Sequence, residues 1–139
     1  MTAGRPATST DPRNIAKREK YANDPEFKAK FKAGVKKHQV RRKQEFDDWR
    51  NTRSCCRCGE FRGYVLEFHH VDPAGKDASP TNMWMGRWEA FCEEMEKCVI
   101  VCANCHKELH WLLQTDEDGY LAHAASLPRV VPPPRYTSR

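Results

Sequence analysis

Apolar residues fall in short runs whose spacing changes along the chain. Phe27, Phe31 and Val35 recur every four residues, which lays one apolar stripe along a helix. Asn23-Asp24-Pro25-Glu26 just ahead is a helix start: a side-chain oxygen can cap free amides, and proline fits the first turn. Phe46 and Trp49 resume an apolar face, so a helix is expected over 24–52, bent or in two pieces near Gly34. Tyr64, Leu66 and Phe68 then alternate with Val65, Glu67 and His69, the pattern of a short strand ending at His69-His70. Residues 71–82 read as loop. Trp84, Trp88, Phe91 and Met95 return to helical spacing as a core stripe, with Arg87, Glu89, Glu93 and Glu94 elsewhere on the wheel. Val99, Ile100 and Val101 predict a brief strand into Cys102, followed by a helix over 104–114 carrying Leu109, Leu112 and Leu113.

The ends lack such patterns. Residues 1–23, rich in Thr, Ser, Pro and Lys, are expected to be largely disordered. Residues 115–139 read as a flexible tail, polyproline-like and basic through Pro128, Pro132-Pro133-Pro134, Arg129, Arg135 and Arg139. The organisation is thus one small α+β domain over 53–114, preceded by a helical extension over 24–52 and flanked by tails.

Composition adds a constraint. With 31% charged residues and a mean hydropathy of −0.86, the chain is poor in core material. A compact region of about 60 residues is marginal on apolar burial alone and gains from a metal or disulfide staple. The seven cysteines are an odd number with Cys-x-x-Cys clustering, and no apolar export segment opens the chain. These features favour thiolates on a metal in a reducing cytoplasm, with neither export nor a membrane span. Charge is unevenly spread. Residues 27–44 hold eight Lys or Arg and no acid, leaving the remainder of the chain at a net −3. Such a local positive field suits phosphates, and Lys36, Lys37, Arg41 and Arg42 are the candidates for nucleic-acid backbone contacts without sequence readout.

Two metal-binding sets can be read from the cysteines and histidines. Cys55/Cys58 and Cys102/Cys105 form two clamps, and four thiolates make a closed tetrahedral shell for a structural Zn2+. Cys56 competes with Cys55 by position but has poorer spacing; Cys92 and Cys98 read as ordinary buried cysteines, and His38 and His123 as background. His106 and His110 lie four apart on one helix face, and with His69 they offer three imidazoles with coordination positions to spare. His70 stands beside them with the chemistry of a general base, provided the strand departs from regular pleating there. Three imidazoles favour Zn2+, Ni2+ or Mn2+ over Mg2+.

The segments CRCG, FHHVDP and KCVIVCANCHKELH resemble an HNH endonuclease of the zinc-knuckle type found in phages and bacteria. The resemblance spans roughly residues 53–114, under half the chain. It implies a ββα-metal finger, with His69 as first metal ligand, His70 as base, His106 as helix ligand and His110 as the further ligand of colicin-type nuclease domains. It also implies a catalytic divalent cation, Mg2+ or Mn2+ included, and hydrolysis of DNA to 3′-hydroxyl and 5′-phosphate ends, with RNA left open as substrate. Phage packaging or repair proteins are further candidate partners, and the cytoplasm of a bacterial host the expected location. The family's middle asparagine is replaced by Lys97, leaving Asn82, Asn104 or no residue at all to orient the base. A non-catalytic zinc ribbon explains the cysteines and basic helix but not the histidine order. A zinc deaminase fits worse: Val101, not proline, precedes Cys102, and Cys55/Cys58 would have no task.

Overall fold

The structure is a computed structural model that describes residues 9–135. Two compact units divide the chain, Met1–Val40 and Arg41–Arg139, and the division falls inside a helix.

The first unit departs from the expected disorder. Helix α1 (Pro12–Asn23) forms over most of the segment read as unstructured; residues 1–8 of that segment lie outside the described residues. Asp11 supplies the missing signal, because its carboxylate accepts the Arg13 amide and caps the helix ahead of Pro12. Asp24 caps α2 (Pro25–Arg50) in the same way through the Phe27 amide. Within this unit the Phe27–Phe31 stripe packs on itself, and Phe31 meets Tyr21 of α1 edge-on. Helix α2 runs unbroken through Gly34, whose cost of roughly 1 kcal/mol is spread over 26 helical residues.

The second unit is a small α+β arrangement. Strands β1 (Leu66–His70) and β2 (Cys98–Cys102) pair antiparallel, with Leu66 opposite Cys102 and His70 opposite Cys98. Strand β2 is buried throughout, as its apolar run predicts. Around the sheet stand α3 (Pro80–Met83), α4 (Trp88–Glu96), α5 (Ala103–Thr115) and α6 (Glu117–Ser126). Within this unit the end of α2 brings Phe46 and Trp49 into the core: Trp49 stacks on Phe68 at 6.2 Å, and Phe46 meets Phe91 edge-on at 5.9 Å. The boundary expected at residue 52 therefore does not separate helix from domain. The helix expected from Trp84 to Met95 is interrupted, because Gly86 closes a turn onto the Met83 carbonyl and α4 begins only at Trp88.

The end at residue 114 moves as well. Asp116 caps α6 through the Gly119 amide, and two acids fill its first turn. Tyr120 and Ala124, four apart, are fully buried, and Val130 donates its amide to the Cys98 carbonyl beside β2. Part of the expected tail thus belongs to the core; residues 136–139 lie outside the described residues. Among the described residues no helix is long and apolar enough to cross a membrane.

Candidate metal centres and the histidine cleft

The first cysteine pair sits on a tight knuckle. Gly59 adopts φ +78°, a conformation that side chains resist, and donates its amide to the Cys55 carbonyl. The second pair straddles the β2–α5 junction, where Cys102 caps α5 through the Cys105 amide. The fold brings Cys55, Cys58, Cys102 and Cys105 together with all four sulfurs within 4.8 Å of one another. Cys58 Sγ and Cys102 Sγ are 3.7 Å apart. A tetrahedron on zinc–sulfur bonds of about 2.3 Å has edges of about 3.8 Å. The cluster can therefore hold a structural zinc. Burial raises the Cys55 thiol, but the backbone amides of Cys58, Cys102 and Arg57 outweigh that and bring it down to about 6. Burial instead pushes Cys98 up to about 12, keeping it a thiol outside the cluster. Burial also raises Cys56, leaving Cys55 as the clustered neighbour.

The second set also converges. One nitrogen from each of His69, His106 and His110 lies within 4.8 Å of the others. Regular pleating places Glu67 and His69 on one face of β1 and Phe68 and His70 on the other. No departure from the pleat was needed, contrary to expectation: the register stays regular through His70, yet both histidines line one cleft of about 300 Å³ with His106 and His110.

Hydrogen bonds fix which nitrogens face that cleft. The Tyr120 hydroxyl donates to the Val71 carbonyl at 2.7 Å, so its oxygen accepts from His69 Nε2–H at 2.8 Å. His69 Nδ1 is then a lone pair, buried and without a hydrogen-bond partner. Glu67 accepts from His106 Nδ1–H at 2.5 Å, which leaves His106 Nε2 as a lone pair 3.1 Å from His110 Nε2. Two nitrogens on one cation at about 2.1 Å would be separated by about 3.0 to 3.4 Å. A buried, orphaned nitrogen and a carboxylate-backed histidine are what a metal site needs from its surroundings. Burial and the three neighbouring histidines hold His69 down at about 4, the neutral ligand form. Burial, His106 and Lys76 lower His110 in the same direction.

These partners were missing from the sequence-based expectations. Tyr120 lay in the supposed tail, although its spacing to Ala124 on an acid-capped helix was a usable signal. Glu67, two residues before His69 on a strand, was legible as a same-face neighbour. Tyr120→Phe should weaken metal binding at the histidine set about tenfold while leaving the cysteine set intact. Competition against a chromophoric chelator measures both, and unchanged affinity at the histidines would show that the hydroxyl does not orient His69.

His70 Nε2 is 2.5 Å from Glu94 Oε1. Glu94 is only 2% exposed, so its placement away from the core stripe is corrected: it is buried with Phe91 and Met95. Burial raises its carboxyl, but hydrogen bonds from Lys97, His70 and the Ala78 and Asp77 amides prevail and hold it at about 2. Asn82 and Asn104 are both exposed, and Glu94 occupies the place beside His70. Lys36, Lys37 and Arg41 are exposed on α2, and Arg42 is half-buried. Compared with family models, curated proteins and solved structures, the chain matches none.

Proposed function

We propose that the chain is a metal-dependent HNH-type endonuclease that hydrolyses phosphodiester bonds in DNA. The observation that carries this reading is a histidine backed by a buried carboxylate, His70–Glu94, opening on the same cleft as three converging imidazoles. The sequence β1, β2, α5 supports assigning these elements to a ββα-metal finger, with His69 and His70 ending the first strand and His106 and His110 on the helix. The four-cysteine cluster ties that helix to the knuckle and acts structurally.

Each residue then has a task. The Glu94 carboxylate accepts a hydrogen bond from His70 Nε2–H, which leaves Nδ1 as the lone pair that takes a proton from water. The water oxygen bonds to phosphorus, the bond to the 3′ oxygen breaks, and that oxygen leaves with the bonding pair and takes a proton from solvent water to become a hydroxyl. The Glu94 carboxylate stabilises the imidazolium formed and fixes the ring. His69, His106 and His110 would hold a divalent cation, which when bound supplies Lewis-acid stabilisation of charge on the phosphate and leaving oxygen. Exposed Lys36, Lys37 and Arg41, with Arg42, add sequence-independent attraction to the DNA backbone.

The test is nicking of supercoiled plasmid across Mg2+, Mn2+, Ni2+ and Zn2+ after metal content is measured. One tightly held zinc per chain, with cutting that requires a second added ion, is the expected result. A fully metal-loaded protein that binds DNA and never cuts it would instead establish a zinc-ribbon binding module.

A further inference from the structure

The histidine cleft has the lining of an anion site. No carboxylate lines it, and apart from its four histidines the polar lining is Lys76 and Ser79. Lys76 is exposed, and its ammonium has no hydrogen-bond or ion-pair partner among the described residues.

The loop carrying it is held on both sides. Lys97 Nζ bonds the Gly75 carbonyl at 3.0 Å and the Asp77 carboxylate at 2.6 Å, the two residues flanking Lys76. Glu94 Oε1 accepts the amides of Asp77 at 3.0 Å and Ala78 at 3.3 Å. The carboxylates of Asp77, next to Lys76, and of Glu94, which holds the loop, are both engaged by Lys97. The Lys97 ammonium is consumed by the scaffold, whereas that of Lys76 is kept for the cleft.

We propose that Lys76 binds a nonbridging oxygen of the scissile phosphodiester and stabilises the charge that grows there as water adds; this rests on the nuclease reading. Lys76 transfers no proton and forms no covalent bond. The proton of the attacking water goes to His70, and the electron pair of the broken bond leaves with the 3′ oxygen. A transition-state role differs from simple attraction of DNA, because it acts on kcat more than on KM.

The experiment uses the full metal-loaded chain with Lys76→Met and Lys76→Arg, reading kcat and KM for plasmid nicking and the affinity for inorganic phosphate by calorimetry. Lys76→Met should lower kcat about 100-fold and weaken phosphate binding about tenfold, with melting temperature and metal content unchanged. Lys76→Arg should recover most of both losses. If the wild type cuts and Lys76→Met cuts equally well, or shows only a raised KM, this proposal alone is overturned. A wild type that cuts no DNA with any of the ions overturns the nuclease reading, and this proposal with it.

Discussion

Cys102→Ser, or removal of the tightly held zinc by a strong chelator, should abolish the cooperative thermal transition of the second unit. Cys55 and Cys58 sit on a knuckle that is otherwise held by few backbone bonds, from Gly59 to Cys55, Cys55 to Glu60 and Cys56 to Ile100. The other two sulfurs belong to β2 and α5, so the ion would join the knuckle to the sheet and to the helix bearing His106 and His110. Zinc bound by a comparable thiolate set contributes about 10 kcal/mol or more to folding at neutral pH. Whole domains are stable by only about 5 to 15 kcal/mol, so that loss is decisive even with the core around Phe46, Phe91 and Tyr120 intact. Without the ion, four thiolates within 4.8 Å would repel one another and must take up protons. Near-ultraviolet circular dichroism, which reports Trp49 packed on Phe68, should collapse together with the melting transition. His110→Ala is the control: it should lose the second metal while keeping the transition. A Cys102→Ser protein melting within a few degrees of the wild type would show that the core suffices and would remove the structural role from the cysteines.

The two clusters that could hold a metal were legible in the sequence because their chemistry is local. Cys-x-x-Cys and a histidine pair at i, i+4 prescribe their own geometry, and Gly59 marked its turn. Strand β2 was equally plain, since an unbroken apolar run can only be buried. What escaped notice depended on long-range pairing. Glu94 looked like one more surface acid, and only the β1–α4 packing reveals that His70 and Lys97 share its two oxygens. Tyr120 was hidden for a different reason: prolines and arginines downstream dominated the composition of the tail, although α6 lies ahead of them. The boundary at residue 52 failed because Phe46 and Trp49 were assigned to the helix that carries them rather than to the core they enter.

His70→Ala should lower kcat for plasmid nicking by about 10³-fold, with DNA affinity, metal content and melting temperature unchanged. None of the His69, His106 or His110 nitrogens relies on His70, so the metal set survives the substitution. Glu94→Gln should cost less, about 10- to 100-fold in kcat, because the amide oxygen can still accept from His70 Nε2–H but no longer offers a full charge to the imidazolium. The double variant decides what Glu94 does. If it acts through His70, removing it from a chain that already lacks His70 changes nothing further, and the double variant cuts as slowly as His70→Ala. If Glu94 serves mainly to hold the 75–78 loop through the Asp77 and Ala78 amides and Lys97, its loss displaces Lys76 as well, and the two losses multiply. Equal cutting by His70→Ala and wild type would withdraw the base assignment altogether. Non-multiplying losses, with Lys76→Met still lowering kcat in the Glu94→Gln background, would place Glu94 behind the base and Lys76 separately on the phosphate.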